Sequence, residues 1–343
     1  MPAEALTTSG PQIAGPRLKV AVLMGGVGQE RDISIRSGNC VAEALAQAGL
    51  DVVTADIRPD NIKILNAPNI DVFFIALHGR FGEDGQLQQI LDDRSLLYTG
   101  SGPRASRLAF DKWASKTAFD QAGIKTPAAV RFDAETKPGQ LERQLAGLSD
   151  RYVVKPLRQG STIGVSIVDD ARSAVAAAQQ CSSEFGDCMV EQFIAGREIT
   201  VGVLEQHTLP IIEVKTKNGF YDYDAKYVDE QTQFLFDTID EPAVRATIEA
   251  AALGCFNTLG CRDFARVDFI LGHDGQAYVL EVNTIPGFTA HSLLPMAAAK
   301  AQISFSRLCV RIIEAALRRR SPLQTGDVGG SGARLAAVGD TEK

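Results

Sequence analysis

The sequence predicts an α/β domain with a parallel sheet, followed by a second unit of the α+β class. Three apolar runs typical of buried strands alternate with helical patterns near the N-terminus, at residues 18–24, 51–56 and 71–77. This alternation is typical of a parallel sheet. Two later segments, 152–168 and 266–283, each place two β-rich stretches around a short loop of turn formers, which predicts antiparallel hairpins.

Composition limits the class of protein. The 343 residues carry a formal net charge of -7, which argues against nucleic acid or an anionic membrane as the main partner. No apolar run approaches the length of a membrane-spanning helix, and the first residues lack the pattern of a signal peptide, so we expect a cytoplasmic protein. The six cysteines show no Cys-x-x-Cys spacing, so we expect reduced thiols without a zinc site.

Local composition also divides the chain. Residues 1–17 mix Pro, Gly, Ser and Thr without periodicity and 321–343 are Gly-rich, so both are predicted to be disordered. A Ser-Gly-Pro stretch near residue 102 looks like a boundary, and a strand pattern that breaks at 195–196 is typical of a passage between two units. The predicted segments are an N-terminal α/β domain at 18–102, a central unit at 103–190 and a C-terminal unit at 191–320.

The hairpin at 266–283 is the stretch around which the chain is organised. If its loop is the four residues Gly272 to Gly275, strand alternation separates two faces. The apolar face is predicted to be buried and contains Ala265, Val267, Phe269, Leu271, Tyr278, Leu280 and Val282. The other face contains four polar residues, Arg266, Asp268, Glu281 and Asn283.

These polar side chains suit a divalent cation and an oxyanion. Two carboxylates and an amide oxygen are ligands that Mg²⁺ accepts beside phosphate oxygens, and an arginine next to them could hold an oxyanion. The alternative is a hydrophilic outer face on which Arg266 and Glu281 form a surface ion pair of small energetic worth. The Pro286-Gly287 turn after the acidic strand favours a ligand, because such a turn lets the backbone approach it closely.

Two turns of the N-terminal domain lie where α/β sheets bind ligands. The glycine turn at 25–32 could point helix N-terminal amides at a ligand. It fails as a dinucleotide fingerprint, because Arg31 stands at the third glycine position, and a tight turn without a ligand is the alternative. His78 ends the third strand beside Glu83 and Asp84, so it is either a ligand contact or a loop histidine with local partners.

The hairpin at 152–168 has a tip of glycine and hydroxyl residues that could cover phosphates, and Lys155 adds positive charge. It is not a Walker loop, because the Gly-Lys-Ser ending is missing, and a flexible tip is the alternative. Near the strand break, Glu191, Phe193 and Glu198 could line a cleft. The aromatic and charged segment 219–227 has no regular period and is predicted to be a lid.

Taken in this order, the segments resemble the D-alanine:D-alanine ligases of the ATP-grasp superfamily over about residues 19–318. The most specific pieces are Ala76-Leu-His-Gly79, Gly82-Glu-Asp-Gly85, Tyr98-Thr-Gly-Ser101, Tyr221-Asp-Tyr-Asp-Ala-Lys-Tyr227 and Glu281-Val-Asn-Thr-Ile-Pro-Gly287. The resemblance implies a Rossmann-like, substrate-binding N-terminal domain followed by a two-part ATP-grasp fold, made of the central and C-terminal units. It also implies a homodimer.

The resemblance places ATP, as co-substrate, between the central and C-terminal units. Glu191 would contact the adenine amine, Glu198 the ribose, and Phe193 would flank the base. The implied phosphate contacts are Lys112, Lys155 and Lys226. The implied ligands of two Mg²⁺ ions, with Mn²⁺ as a possible substitute, are Asp268, Glu281 and Asn283.

The same resemblance assigns residues to the first D-alanine. Glu30 and His78 would place this molecule, and Ser161 and Tyr227 would tie the lid to Glu30 by hydrogen bonds. Its carboxylate would receive a phosphoryl group from ATP, a step that depends largely on positioning by lysines and metal.

A further set of residues serves the second D-alanine. Ser292 and the amide of Leu293 would take its carboxylate, while Arg266 and the amide of Gly287 would hold the oxyanion that forms when its amine attacks. The implied products are D-alanyl-D-alanine, ADP and phosphate, for peptidoglycan synthesis.

Three other functions stay open at this point. A D-alanine:D-lactate or D-alanine:D-serine ligase would share nearly every motif, and Tyr227 favours the dipeptide. A nicotinamide dehydrogenase would explain the first βαβ unit but not the failed glycine fingerprint, and a non-catalytic binding protein would be expected to have lost metal ligands.

The departures from the family pattern are Gly28 and Thr162, each in place of Ser, and Phe288 in place of Met.

Overall fold

The structure, a computed structural model, describes residues 18–216 and 231–319. The predicted lid, with Lys226 and Tyr227, lies outside these residues, as do both tails that the sequence predicts to be disordered. Among the described helices, none has the length and apolar character needed to cross a membrane.

A three-stranded parallel sheet forms the centre of the N-terminal domain, as predicted. In chain order the elements are β1 (Lys19–Gly25), α1 (Arg31–Gln47), β2 (Asp51–Ile57), a 3-10 helix (Lys63–Asn66), β3 (Val72–Ile75) and α2 (Gln86–Asp93). The strand order is β2-β1-β3. Because β1 is the central strand it is buried on both faces, which explains its unbroken apolar sequence.

The central unit contains an antiparallel sheet of four strands in the order β4-β7-β5-β6. Its elements are α3 (Pro103–Phe110), α4 (Lys112–Gln121), β4 (Ala129–Phe132), α5 (Pro138–Leu145), β5 (Tyr152–Pro156), β6 (Ser166–Val168), α6 (Ala171–Phe185) and β7 (Cys188–Gln192). Asp111 separates α3 from α4, because its backbone is extended and its carboxylate accepts the N–H groups of Trp113 and Ala114. Lys112 therefore begins a helix.

The C-terminal unit contains the second antiparallel sheet. Its elements are β8 (Gly196–Leu204), β9 (His207–Thr208), β10 (Ile212–Lys215), β11 (Gln233–Phe236), α7 (Pro242–Leu259), β12 (Phe264–Gly272), β13 (Ala277–Asn283), α8 (Leu293–Lys300) and α9 (Phe305–Arg318). The order is β11-β10-β8-β12-β13, with β9 paired to β8. The predicted strand break is confirmed, since β7 belongs to the central sheet and β8 to this one.

The hairpin of β12 and β13 contains a bulge that the sequence analysis did not anticipate. Asp268 pairs with Glu281, but the next residue, Phe269, pairs with Val279, so Leu280 is an extra residue in β13. The bulge reverses the alternation beyond it. Val279 is buried, whereas Tyr278 and Leu280 are only partly buried, so the prediction that these two share the buried face is wrong. The polar face is unaffected.

The hydrophobic cores do not follow the boundaries of the three units predicted from the sequence. One core packs β1, β3 and α1 of the N-terminal domain against α8 and α9 of the C-terminal unit. The central sheet instead packs against α5 and α6 in a core of its own, with Leu141, Tyr152 and Val190. The N-terminal and C-terminal parts are thus joined by shared packing, while the central sheet is a separate layer.

Candidate active site

A cavity of about 170 Å³ lies between the central hairpin β5–β6 and the strands β12 and β13. Much of its wall is apolar, with side chains such as Val153, Ile167 and Ile270. The described residues that the resemblance assigned to ATP and that line this cavity are Lys112, Lys155, Phe193 and Glu198. An apolar slot with a few charges suits a flat base attached to an anionic group.

Glu191 lies behind this wall rather than in it. Its carboxylate is buried between two buried lysines, with Lys116 Nζ 2.9 Å from one oxygen and Lys155 in contact with the other. Lys116 also donates to the carbonyl of Pro127 at 2.5 Å. The sequence analysis missed Lys116, although it follows Lys112 by one helical turn in α4 and so lies on the same face. Burial lowers the pKa of Lys116, and the charge of Glu191 opposes this shift.

The predicted metal ligands meet on the polar face of the hairpin. Asp268 accepts hydrogen bonds from Arg266 Nε at 2.8 Å, Thr200 Oγ1 at 2.6 Å and Asn283 Nδ2 at 2.9 Å. Glu281, directly across the ladder from Asp268, forms an ion pair with Lys112 at 2.9 Å. Cationic and amide groups of the protein are therefore the present partners of both carboxylates.

The donor set fits a hard divalent cation by its chemistry. Two carboxylates and one side-chain amide can offer up to five oxygens on adjacent strands, and oxygen is the ligand that Mg²⁺ prefers. Within residues 18–216 and 231–319, no three His, Cys, Asp or Glu side chains form a metal-holding group. Asn283, whose Nδ2 faces Asp268, could add its side-chain oxygen to those of the two carboxylates.

A second cavity, of about 410 Å³, lies between the N-terminal domain and the turn that follows β13. Every described residue that the resemblance assigned to catalysis or to substrate lines it, namely Glu30, His78, Ser161, Arg266, Gly287, Ser292 and Leu293. Glu281 lines both cavities. The two cavities therefore meet at this carboxylate.

Glu30 is held at the edge of the second cavity by small neighbours. Ser161 Oγ donates a 2.6 Å hydrogen bond to Glu30 Oε1. A side chain at Gly79 would clash with Glu30 Oε2, and a Cβ at Gly160 would lie 2.8 Å from Oε1. The backbone of Ser161 has φ +53°, a left-handed conformation that residues other than glycine rarely adopt. The predicted pairing of Ser161 with Glu30 is therefore present.

His78 is buried, and both of its ring nitrogens have partners. Nδ1 lies 3.0 Å from the carbonyl oxygen of Ile285, and Nε2 lies 3.1 Å from Ser37 Oγ. Burial lowers the pKa of His78 to about 4, with a smaller contribution from the charge of Arg266, so the ring is neutral at pH 7. Its contacts tie the N-terminal domain to the turn after β13.

Glu83 is a site residue to which the sequence analysis gave no role. It lines the second cavity and accepts the N–H of Gly79 at 2.7 Å. Burial raises its pKa well above the usual value, and the charge of Glu30 raises it further. Its place in the Gly82-Glu-Asp-Gly85 piece was the available signal.

Ser292 and Leu293 stand at the start of α8. Ser292 is the N-cap residue, and its Oγ accepts the N–H of Thr289 at 3.0 Å. Gly287 is packed against it, because a Cβ at Gly287 would lie 2.8 Å from Ser292 Oγ. Amides at a helix N-terminus suit a carboxylate ligand, which agrees with the predicted place of the second D-alanine.

Comparison with known sequences gives consistent matches. The family described as D-ala D-ala ligase C-terminus matches residues 119–314. A D-alanine–D-alanine ligase of Marinobacter nauticus is 43% identical over 304 residues, which cover 88% of this chain and 92% of that protein. One of Syntrophotalea carbinolica is 44% identical and covers 88% and 97% of the two chains.

Solved structures agree with these sequences. A D-alanine–D-alanine ligase from Bacillus anthracis complexed with ATP is 32% identical, with a TM-score of 0.76 and coverage of 88% and 98%. The VanG D-Ala:D-Ser ligase of Enterococcus faecalis is 27% identical, with a TM-score of 0.77 and coverage of 88% and 100%. With these similarities along nearly the whole length of each relative, the chain belongs to the D-alanine–D-alanine ligase family.

Proposed function

We propose that this protein joins two D-alanine molecules in an ATP-dependent reaction that yields D-alanyl-D-alanine, ADP and phosphate. The observation that carries the proposal is the pair of cavities that meet at Glu281, one apolar with lysines and the other lined by carboxylates, Arg266 and a helix N-terminus. A reaction that transfers a phosphoryl group from ATP to one of two amino acids requires a nucleotide site next to an amino-acid site. The product is used in peptidoglycan synthesis, the role of the family.

ATP would occupy the first cavity. Its base would lie among the apolar side chains beside Phe193, with Glu198 toward the ribose, and Lys112 and Lys155 would face the phosphates. In the structure these lysines contact Glu281 and Glu191. Phosphate oxygens would replace these carboxylates as their partners, so nucleotide binding would also leave Glu281 available to a metal.

Asp268, Glu281 and Asn283 would hold the Mg²⁺ ions, for which we propose a count of two as in the family resemblance. When bound, these ions neutralise negative charge on the phosphate oxygens. The arrangement supporting this proposal is the cross-strand pair of Asp268 and Glu281, with Asn283 bonded to Asp268.

In the first step, the carboxylate of the first D-alanine attacks the terminal phosphorus of ATP, and ADP leaves. Glu30 would pair with the ammonium group of this D-alanine, while Ser161 keeps the Glu30 carboxylate in place. The acyl phosphate that forms carries an activated carbonyl carbon. In-line positioning of the two reactants is the main contribution of the protein at this step.

In the second step, the unprotonated amine of the second D-alanine attacks that carbonyl carbon. Ser292 and the Leu293 amide would hold its carboxylate at the start of α8. The developing oxyanion would lie between Arg266 and the amide of Gly287, which both line the cavity. Collapse of the tetrahedral intermediate expels phosphate, the amine loses its proton, and the peptide bond remains.

A second candidate, D-alanine:D-serine ligation, is favoured by the likeness to the VanG D-Ala:D-Ser ligase. The two can be separated by measuring ADP release with D-alanine alone and with D-alanine plus D-serine, D-lactate or L-alanine, and identifying the products by mass spectrometry. We expect D-alanyl-D-alanine as the main product. A mixed product that exceeds it at equal substrate concentrations would overturn the assignment.

We further propose, from the family resemblance, that the protein is a cytoplasmic homodimer that meets ATP and D-alanine there. The acidic net charge of -7 agrees with small-molecule partners rather than nucleic acid. Light scattering after size-exclusion chromatography tests the homodimer. A monomer mass across the working concentration range would contradict it.

A further inference from the structure

Buried polar groups join the two ends of the turn after β13. Ile285 accepts a hydrogen bond from His78 Nδ1 at 3.0 Å, and Ser37 Oγ lies 3.1 Å from His78 Nε2. The N–H of Phe288 donates to the same Ser37 oxygen at 3.2 Å. Pro286 and Gly287 lie between the two contacts, so the chain of hydrogen bonds starts and ends on one short segment.

The direction of every bond in this chain is fixed. A carbonyl oxygen only accepts, so His78 Nδ1 carries the proton and Nε2 is an acceptor. The Ser37 hydroxyl must then donate to Nε2, and its oxygen is left to accept from the Phe288 amide. Ser37 and Phe288 are fully buried and His78 nearly so, and burial strengthens such hydrogen bonds.

Aromatic packing holds the same end of the turn. The ring of Phe288 meets Phe74 of the N-terminal domain at a centroid distance of 5.5 Å and Phe264 of β12 at 5.2 Å, both edge to face. These contacts belong to the core that the N-terminal and C-terminal parts share. Packing sets the position of the Phe288 side chain, whereas Ser37 sets the orientation of its peptide group.

We propose that Ser37 is a positioning residue that aims the Gly287 amide at the oxyanion of the ligation step. The inference rests on the proposed function, since it takes Gly287 as the oxyanion donor. Ser37 does not touch substrate in this account. It acts through Phe288 and His78, which hold the peptide groups on either side of Pro286 and Gly287.

The test compares Ser37→Ala with Ser34→Ala. Ser34 lies on the same helix, is equally buried, and its hydroxyl donates to Ala76 at 2.8 Å and accepts from Gly25 at 2.9 Å, but it does not reach the turn. The first step is followed by positional isotope exchange in ATP labelled at the β,γ-bridging oxygen, with D-alanine present. The second step is followed by dipeptide formation, and ATP KM is measured in parallel.

In Ser37→Ala we expect isotope exchange and ATP KM close to the wild type, while dipeptide formation falls about 10- to 100-fold, because a misaimed group near the reacting atoms costs rates of that order. Binding of a tetrahedral phosphinate dipeptide should weaken by a similar factor. In Ser34→Ala the ratio of the two steps should stay at the wild-type value.

Should Ser37→Ala fail to fold, Ser37→Cys fills nearly the same space with a weak hydrogen-bonding group, and the same selective loss is expected. Both steps falling together, or neither changing, would overturn the role of Ser37. A wild-type protein that makes no dipeptide would instead refute the proposed function, so the two failures are distinguishable.

Discussion

The two cavities of this protein are built in different ways. The first cavity, proposed for ATP and called the nucleotide cavity below, lies between the central sheet, which has its own core, and the C-terminal sheet; the second, proposed for the two D-alanine molecules, is called the substrate cavity. Most of the substrate cavity lies between parts that share one core, and only Gly160 and Ser161 come from the hairpin tip of the central unit. The first cavity can therefore open or close as two layers move, while the second, apart from that tip, keeps its shape unless its core is disturbed.

Their polar contacts differ in the same sense. In the nucleotide cavity, Lys112 and Lys155 are paired with Glu281 and Glu191, and phosphates would have to displace these carboxylates. In the substrate cavity, Arg266 is paired with Asp268, but the buried bonds of His78 and Ser37 are made to neutral partners. We therefore expect nucleotide binding to exchange ion pairs in the first cavity, whereas the turn beside the second is organised beforehand.

The largest effect is expected at Glu281, which belongs to both cavities. Glu281→Gln should lower ligation by about a thousandfold or more, because the charge it contributes matters most in the transition state and each 1.4 kcal/mol costs about tenfold. ATP affinity should change much less. Ligation and nucleotide binding are measured at saturating Mg²⁺, with Glu314→Gln, in an exposed ion pair with Arg307, as control. Wild-type turnover in Glu281→Gln would contradict the metal assignment.

Lys116 tests the ion-pair exchange in the nucleotide cavity. Without Lys116, Lys155 would be the one cation among the described residues that is paired with Glu191. If Lys155 then moved to a phosphate, the buried Glu191 carboxylate would have no cationic partner among them. Lys116→Met should raise ATP KM about 10- to 100-fold with little change in kcat, and lower the free energy of unfolding by about 3 kcal/mol.

The matched control is Lys125→Met, an exposed lysine 6.0 Å from the ring centroid of Tyr278. It should leave ATP KM unchanged. If Lys116→Met also leaves ATP KM unchanged, Glu191 does not need a second lysine, and the proposed exchange at Lys155 loses its basis.

A smaller effect is expected from pH at His78. The folded ring has a pKa of about 4 and the unfolded ring one of about 6.5. As pH falls, the unfolded state therefore binds a proton before the folded state does. The contribution of His78 to the free energy of unfolding is fully present above about pH 6.5 and is lost as the pH falls toward 4. The loss attributable to His78 between pH 7.5 and 5 is about 2 kcal/mol.

The variant His78→Asn isolates this contribution, because the wild type and the variant share all other titrating groups. One of these is Glu83, whose raised pKa makes stability change with pH in the opposite direction. Urea unfolding at the two pH values should show that the variant is destabilised at pH 7.5 but loses less stability than the wild type on acidification. Equal losses would mean that His78 is not held neutral by the fold.

The polar face of the hairpin was predictable because strand alternation determines which side chains share a face. The faces of Tyr278 and Leu280 were not, since a bulge moves residues across the sheet and no turn-forming residue marks it in β13. That Val279 points inward is known from its burial in the structure and was not predicted from the sequence.

The site residues that the sequence missed act through contacts that only the fold creates. Ser37 and Phe288 are 251 positions apart, and a serine in the buried face of α1 was the one local sign. Lys116 shared a helix face with Lys112, but its partner Glu191 lies on another element. The family motifs located the cavities, whereas the supporting hydrogen bonds required the three-dimensional packing.

Hydrogen exchange at the turn and at the hairpin tip tests the difference between the cavities most directly. Amides are compared with and without a nonhydrolysable ATP analogue and Mg²⁺. The Phe288 amide, bonded to buried Ser37, should be strongly protected in both states. The amides of Thr162, Ile163 and Val165, which line the nucleotide cavity, should gain protection only with nucleotide. A Phe288 amide that exchanges freely until nucleotide binds would contradict a substrate cavity organised beforehand.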